Sequence, residues 1–120
     1  MSGTDSFCAL TRQVSNNLAS LRTSTPSVMK AFGELGRAAL APGALDGKTK
    51  ELIALALGVA TRCDACIGFH TQALVKLGAT RQEVDETLGV ATYMGGGPSL
   101  MYAASAVAAF DEAQAAAGKA

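Results

Sequence analysis

The chain predicts an all-α fold, a compact bundle of about six helices, and three observations carry that expectation. Hydrophobic residues make up 49% of the 120 positions while aromatics supply only 5% and tryptophan is absent. The apolar content therefore rests on alanine, leucine and valine, and the first two are strong helix formers. No stretch alternates polar and apolar residues in the way a half-buried strand requires. Short stop and start signals divide the chain at helix-length intervals, with no linker and no internal repeat between them.

The elements follow in order, at about residues 5–21, 26–40, 46–61, 64–77, 81–94 and 98–117. "TSTP" (23–26) places Thr25 at an N-cap and Pro26 at the first helical position. "APGALDG" (41–47) reads as a turn whose Asp46 caps the third helix. That helix, "ELIALALGVA", is apolar nearly all round, which predicts a place at the bundle centre or in a subunit interface. Gly78 of "GAT" stops the fourth helix, and Thr80 with Glu83 forms a capping box for the fifth. "GGGP" (95–98) ends the fifth helix and opens the alanine-rich sixth, whose tail "DEAQAAAGKA" is expected to fray. Tyr93 and Tyr102 flank that turn and read as packing residues.

The length suits one domain over residues 1–120 with a small core. Ten basic and ten acidic residues are interspersed, so no basic stripe exists to neutralise nucleic-acid phosphates. No run of eighteen apolar residues predicts a membrane span. The stretch "MSGTDSFCAL" lacks the charged and apolar regions of a signal peptide, which leads to the expectation of a cytoplasmic protein. In a reducing compartment three cysteines argue against a disulfide scaffold and toward redox or metal chemistry for the close pair Cys63 and Cys66. Cys8 reads as a small apolar residue packed in the first helix.

"ATRCDACIGFHTQ" (60–72) holds that pair and the only histidine, His70. If a helix begins near Asp64, positions 63, 66 and 70 line one face. The helix dipole and free N–H groups near Cys63 favour a thiolate, the species that attacks a peroxide or a disulfide. The second thiol, one turn away, is placed to condense with the resulting sulfenic acid and close a disulfide. Glu51, twelve positions before Cys63, stands beside an apolar run, where a carboxylate needs a partner. His70 is the natural one, and a Glu51–His70–Cys66 relay would pass the thiol proton to a leaving group. Two other readings of the same residues stay open. The cysteines can be inert buried thiols, or two thiolates, an imidazole and a carboxylate can make a tetrahedral zinc set.

The pattern Glu51, eleven residues, Cys63-Asp64-Ala65-Cys66, three residues, His70 resembles the core motif of the alkylhydroperoxidase D-like proteins, in the carboxymuconolactone decarboxylase-like superfamily. The resemblance covers about residues 45–110. It implies an all-α fold that assembles as a homo-oligomer, commonly trimers or hexamers. It implies a thiol peroxidase with a hydroperoxide substrate, its disulfide re-reduced by a dithiol donor such as a lipoyl or thioredoxin-like protein. Carried over, Cys66 matches the peroxidatic thiol, Cys63 the resolving thiol, and His70 with Glu51 the proton relay. No cofactor and no metal are assigned. Two departures stand out. Some members carry a second histidine just before the second cysteine, where this chain has Ala65, and some are longer, with two repeats. Decarboxylases of the superfamily lack the cysteine pair. The competing classes are a non-catalytic oligomeric or metal-binding module and a decarboxylase-like enzyme acting on a small organic acid.

Overall fold

The computed structural model describes residues 6–118. Six helices account for nearly all of them: α1 Phe7–Ser24, α2 Pro26–Leu40, α3 Gly47–Ala60, α4 Asp64–Lys76, α5 Arg81–Gly95 and α6 Gly97–Gly118. No strand occurs among the described residues, so the all-α expectation holds. None of these helices is long and apolar enough to cross a membrane.

The caps explain the boundaries. Asp46 accepts the Thr49 N–H at 2.7 Å and starts α3. Thr80 and Glu83 satisfy each other's backbone N–H groups in a complete capping box at the start of α5. Gly78 ends α4 at φ 77° and Gly96 ends α5 at φ 74°, a region that costs glycine little. At the α1–α2 joint the structure differs from the sequence expectation. α1 runs three residues further, to Ser24, and Thr25 does not cap α2 with its side chain. Its hydroxyl instead donates to Leu21 O at 2.9 Å, alongside its own N–H at 2.7 Å. The helix breaks there because Pro26 disfavours helical geometry in the residue before it.

α3 and α4 form a tight hairpin joined by three residues, and α5 and α6 pack across it. The core lies where these four helices meet: Leu55 and Val59, Ile67 and Leu74, Val84 and Leu88, Ala106 and Phe110. Small side chains on α6, among them Ala103, Ala106 and Ala109, let its backbone approach α4 and α5 closely. α3 is only half sequestered, with Ile53 and Leu57 exposed on its outer side.

α1 lies across α4 and α6, and its N-terminus is latched from a distance. The Glu112 carboxylate accepts the Phe7 N–H at 3.2 Å and the Cys8 N–H at 2.9 Å, while Ser6 accepts from Ala9. Three orphan donors of the first turn are thereby satisfied. Burial opposes the ionised form of Glu112, but the hydrogen bonds from Cys8 and Phe7 outweigh it and hold its carboxyl below the usual range. The expected fraying of the last ten residues is therefore corrected: α6 continues to Gly118, with Ala113 buried and Asp111 paired with Arg81 at 2.9 Å. Lys119 and Ala120 lie outside the described residues. Tyr93 is a second correction, since it is 85% exposed rather than packed, whereas Tyr102 does pack on the core.

α2 contributes no buried residue. Val28, Phe32 and Leu35 are exposed at spacings of four and three, one continuous apolar stripe on the outside of the chain.

Candidate active site

The site grows out of the α3–α4 hairpin. α3 ends in a Schellman turn in which Arg62 N–H donates to Val59 O and Cys63 N–H donates to Gly58 O at 3.0 Å. The residue that must adopt the left-handed conformation in such a turn is Arg62, at φ 59°. A non-glycine there stores strain of about 1–3 kcal/mol. Cys63 follows as the N-cap of α4, and its sulfur accepts the Cys66 N–H at 3.1 Å. The expected start of α4 at Asp64 is thus observed.

Cys63 and Cys66 are joined as a disulfide, with Cα atoms 5.2 Å apart. Both are half-buried, so the bond sits at the surface end of the hairpin rather than inside the core. Reduced, Cys63 would leave its sulfur at a helix N-terminus facing a backbone N–H, an environment that favours the thiolate. Gly58, in the last turn of α3, lies directly under the pair: a methyl group placed on it would stand 3.1 Å from Cys66 Cβ.

Glu51 is the fifth residue of α3, just past the first turn, and points inward at 8% exposure. Its Oε2 lies 2.6 Å from His70 Nδ1. Burial and a close imidazole partner are what the apolar setting of this carboxylate demanded. His70 is half-buried on α4, one turn beyond Cys66 on the same face. With Nδ1 turned to Glu51, the other ring nitrogen is left to exchange protons. The hairpin therefore carries two pairs, the Cys63–Cys66 disulfide and the Glu51–His70 contact, with Cys66 and His70 one turn apart on the same face of α4. Among the described residues no group of three histidine, cysteine or acidic side chains is arranged to hold a metal ion.

The remaining candidates fall elsewhere. Arg62 and Asp64 are exposed beside the pair, and Lys76 is exposed at the far end of α4. Cys8 is not simply packed. It is half-buried with a free thiol, and a hydrogen bond to Glu112, with burial, raises its pKa above the ordinary cysteine value. It borders a groove of about 590 Å³ between α1, α4 and α6, together with Arg12, Phe69 and Gln72. That groove lies on another face of α4 from Cys66 and His70. Sequence reasoning missed Gly58 and the backbone of Arg62. Only a glycine interrupting the apolar run of α3 hinted at the first.

Comparison with known proteins agrees with this architecture. The family model for the carboxymuconolactone decarboxylase family matches residues 26–109. A carboxymuconolactone decarboxylase family protein of Legionella pneumophila, solved in its apo form, superposes with a TM-score of 0.88 at 57% identity, covering 90% of this chain and 96% of that one. A Thermotoga maritima protein of the same family, suggested to take part in an antioxidative response, gives a TM-score of 0.80 at 30% identity over 91% of this chain and 93% of its own. An uncharacterized protein of Cupriavidus necator is 40% identical over 99 residues, 82% of this chain and 88% of that protein. The family match extends over well more than half of the chain and includes the whole α3–α4 hairpin, so the chain belongs to the carboxymuconolactone decarboxylase family.

Proposed function

We propose that this protein is a thiol-dependent hydroperoxidase of the alkylhydroperoxidase D-like kind. The observation that carries the reading is the 2.6 Å contact between Glu51 and His70 on the same hairpin that pairs Cys63 with Cys66. A buried carboxylate fixing an imidazole one turn from a redox-capable thiol has a ready use in proton transfer and little use in packing.

The cycle starts from the dithiol. His70 takes the Cys66 proton, and the thiolate attacks the outer oxygen of a hydroperoxide. The O–O bond breaks, Cys66 becomes a sulfenic acid, and the leaving alkoxide receives the proton from His70 as an alcohol. Glu51 stabilises the imidazolium between these two transfers. The Cys63 thiol then attacks the Cys66 sulfur, water leaves, and the S–S bond closes. A dithiol donor, a lipoyl or thioredoxin-like protein, returns two electrons and two protons. Ala65 stands where some relatives carry a second histidine, which leaves His70 as the sole imidazole of this relay. The suggested antioxidative role of the Thermotoga relative fits the same chemistry.

The protein acts as a homo-oligomer in this reading, a trimer or hexamer in the cytoplasm. The bare stripe of Val28, Phe32 and Leu35 supports that, because monomers seldom leave a stripe of large apolar side chains in water. Phe32→Asp should shift sedimentation toward the monomer, and an unchanged oligomer or a parent monomer would remove α2 from the assembly.

Steady-state turnover of cumene and tert-butyl hydroperoxide, with dihydrolipoamide as donor, is the direct test. Cys66→Ser and Cys63→Ser should each abolish it. A Cys66→Ser protein that consumed peroxide as fast as the parent would end the proposal.

A further inference from the structure

We infer that Gly58 is a positioning residue for the Cys63–Cys66 pair, setting how strongly the pair favours its disulfide. The inference rests on the dithiol reading above. Gly58 touches both halves of the pair through different atoms. Its carbonyl accepts the Cys63 N–H at 3.0 Å, which fixes where the α4 N-cap begins. Its missing side chain leaves room for Cys66: an added Cβ would stand 3.1 Å from Cys66 Cβ and 3.9 Å from both Cys66 C and Ile67 N. Thr61 Oγ1 reinforces the same turn by donating to Leu57 O at 2.8 Å. The first turn of α4 is thus seated on one buried glycine of α3.

A Cβ at 58 would push the Cys66 Cβ outward by a few tenths of an ångström. The dithiol can absorb that displacement, because its two sulfurs move independently. The disulfide cannot absorb it as easily, because the S–S bond ties Cys66 to Cys63, and Cys63 is held by the Gly58 carbonyl. The added methyl group therefore acts against the oxidised form, and a strained disulfide is the more easily reduced one.

The reaction to measure is exchange with glutathione. As the protein S–S bond forms, two thiols give up two electrons and two protons, and oxidised glutathione takes them as its own S–S bond breaks. In a Cys8→Ser background, so that two thiols remain, the disulfide fraction is read by alkylation and mass spectrometry across a series of glutathione ratios. For Gly58→Ala the equilibrium constant for disulfide formation should fall about tenfold, the scale of a tight packing contact borne by one redox form. Alanine is favoured over glycine in a helix interior, so the variant retains its fold, and circular dichroism checks that it does. Gly89→Ala is the control, since a Cβ there meets nothing within 4 Å on α5, and it should match the parent. A fall of less than about threefold for Gly58→Ala, or an equal fall for Gly89→Ala, would overturn the inference. A parent pair that does not exchange with glutathione at all would defeat the dithiol reading itself, and the role of Gly58 with it.

Discussion

Glu51 Oε2 lies 2.6 Å from His70 Nδ1, joining the second turn of α3 to the middle of α4 across nineteen positions of sequence. The pair is asymmetric, because the side chain of Glu51 is 11% exposed and that of His70 27%. The carboxylate is the buried anchor and the imidazole is the end that solvent reaches.

If this contact carries the proton relay, the two residues act as a unit. His70→Gln and Glu51→Gln should each slow hydroperoxide turnover by about tenfold to a hundredfold, the range expected of a positioned acid–base group. The double variant should be no slower than the slower single one, because residues acting through each other are not additive. Additive losses in kcat/KM would separate the two roles.

The three cysteines should report their environments. Mild peroxide should remove two of three free thiols in reduced protein, and dithiothreitol should restore them. Cys8 should remain alkylatable but slow, because its hydrogen bond to Glu112 and its burial raise its pKa and deplete the thiolate near neutral pH. Glu112→Gln removes the carboxylate and should speed Cys8 alkylation. Timed labelling with iodoacetamide at pH 7.5, followed by peptide mapping, measures both.

The α1 latch should be acid-sensitive. Glu112 ionises more readily in the folded chain than in the unfolded one. Its contribution to stability is therefore complete above the unfolded carboxyl pKa of about 4.3 and is lost as pH falls through the lower folded value. Glu112→Gln should cost roughly 0.5–1 kcal/mol at pH 7, the scale of a partly solvated cap. It should also flatten the decline in urea stability between pH 5 and pH 3. A variant with the parent's acid profile would assign that decline to other carboxylates.

Two backbone positions should respond in opposite directions. Arg62→Gly removes a left-handed non-glycine residue at φ 59°. It should raise stability by roughly 0.5–1 kcal/mol after the added freedom of the unfolded chain is deducted. Gly68→Ala places a Cβ 2.6 Å from Thr11 Cγ2, against the seat of α1. It should lower stability by about 1–3 kcal/mol and loosen the 3.0 Å hydrogen bond from Gln72 to Thr11. Urea midpoints for the two variants check both signs.

The helices and most of their caps were legible in the residues because they depend on neighbours within four positions. Asp46 with Thr49, and Thr80 with Glu83, are local pairs whose chemistry can be named without coordinates. The exception is Thr25, whose hydroxyl had two local partners to choose from. The backbone before Pro26 turned it toward Leu21. The motif residues were legible for the same reason: positions 63, 66 and 70 share a face by helical arithmetic alone.

The sequence by itself determined an all-α chain, its six helices, and a Cys-x-x-Cys pair one turn ahead of the only histidine. Tertiary structure closed the Glu51–His70 contact that the motif had only suggested, and it alone decided that Gly58 lies beneath Cys66 and that Glu112 reaches back over a hundred positions to hold Phe7 and Cys8. The physical reason is range. Helix propensity, capping and dipole effects decay within a turn or two, whereas a buried carboxylate or a missing methyl group acquires its meaning only from whatever the packing of distant segments sets against it.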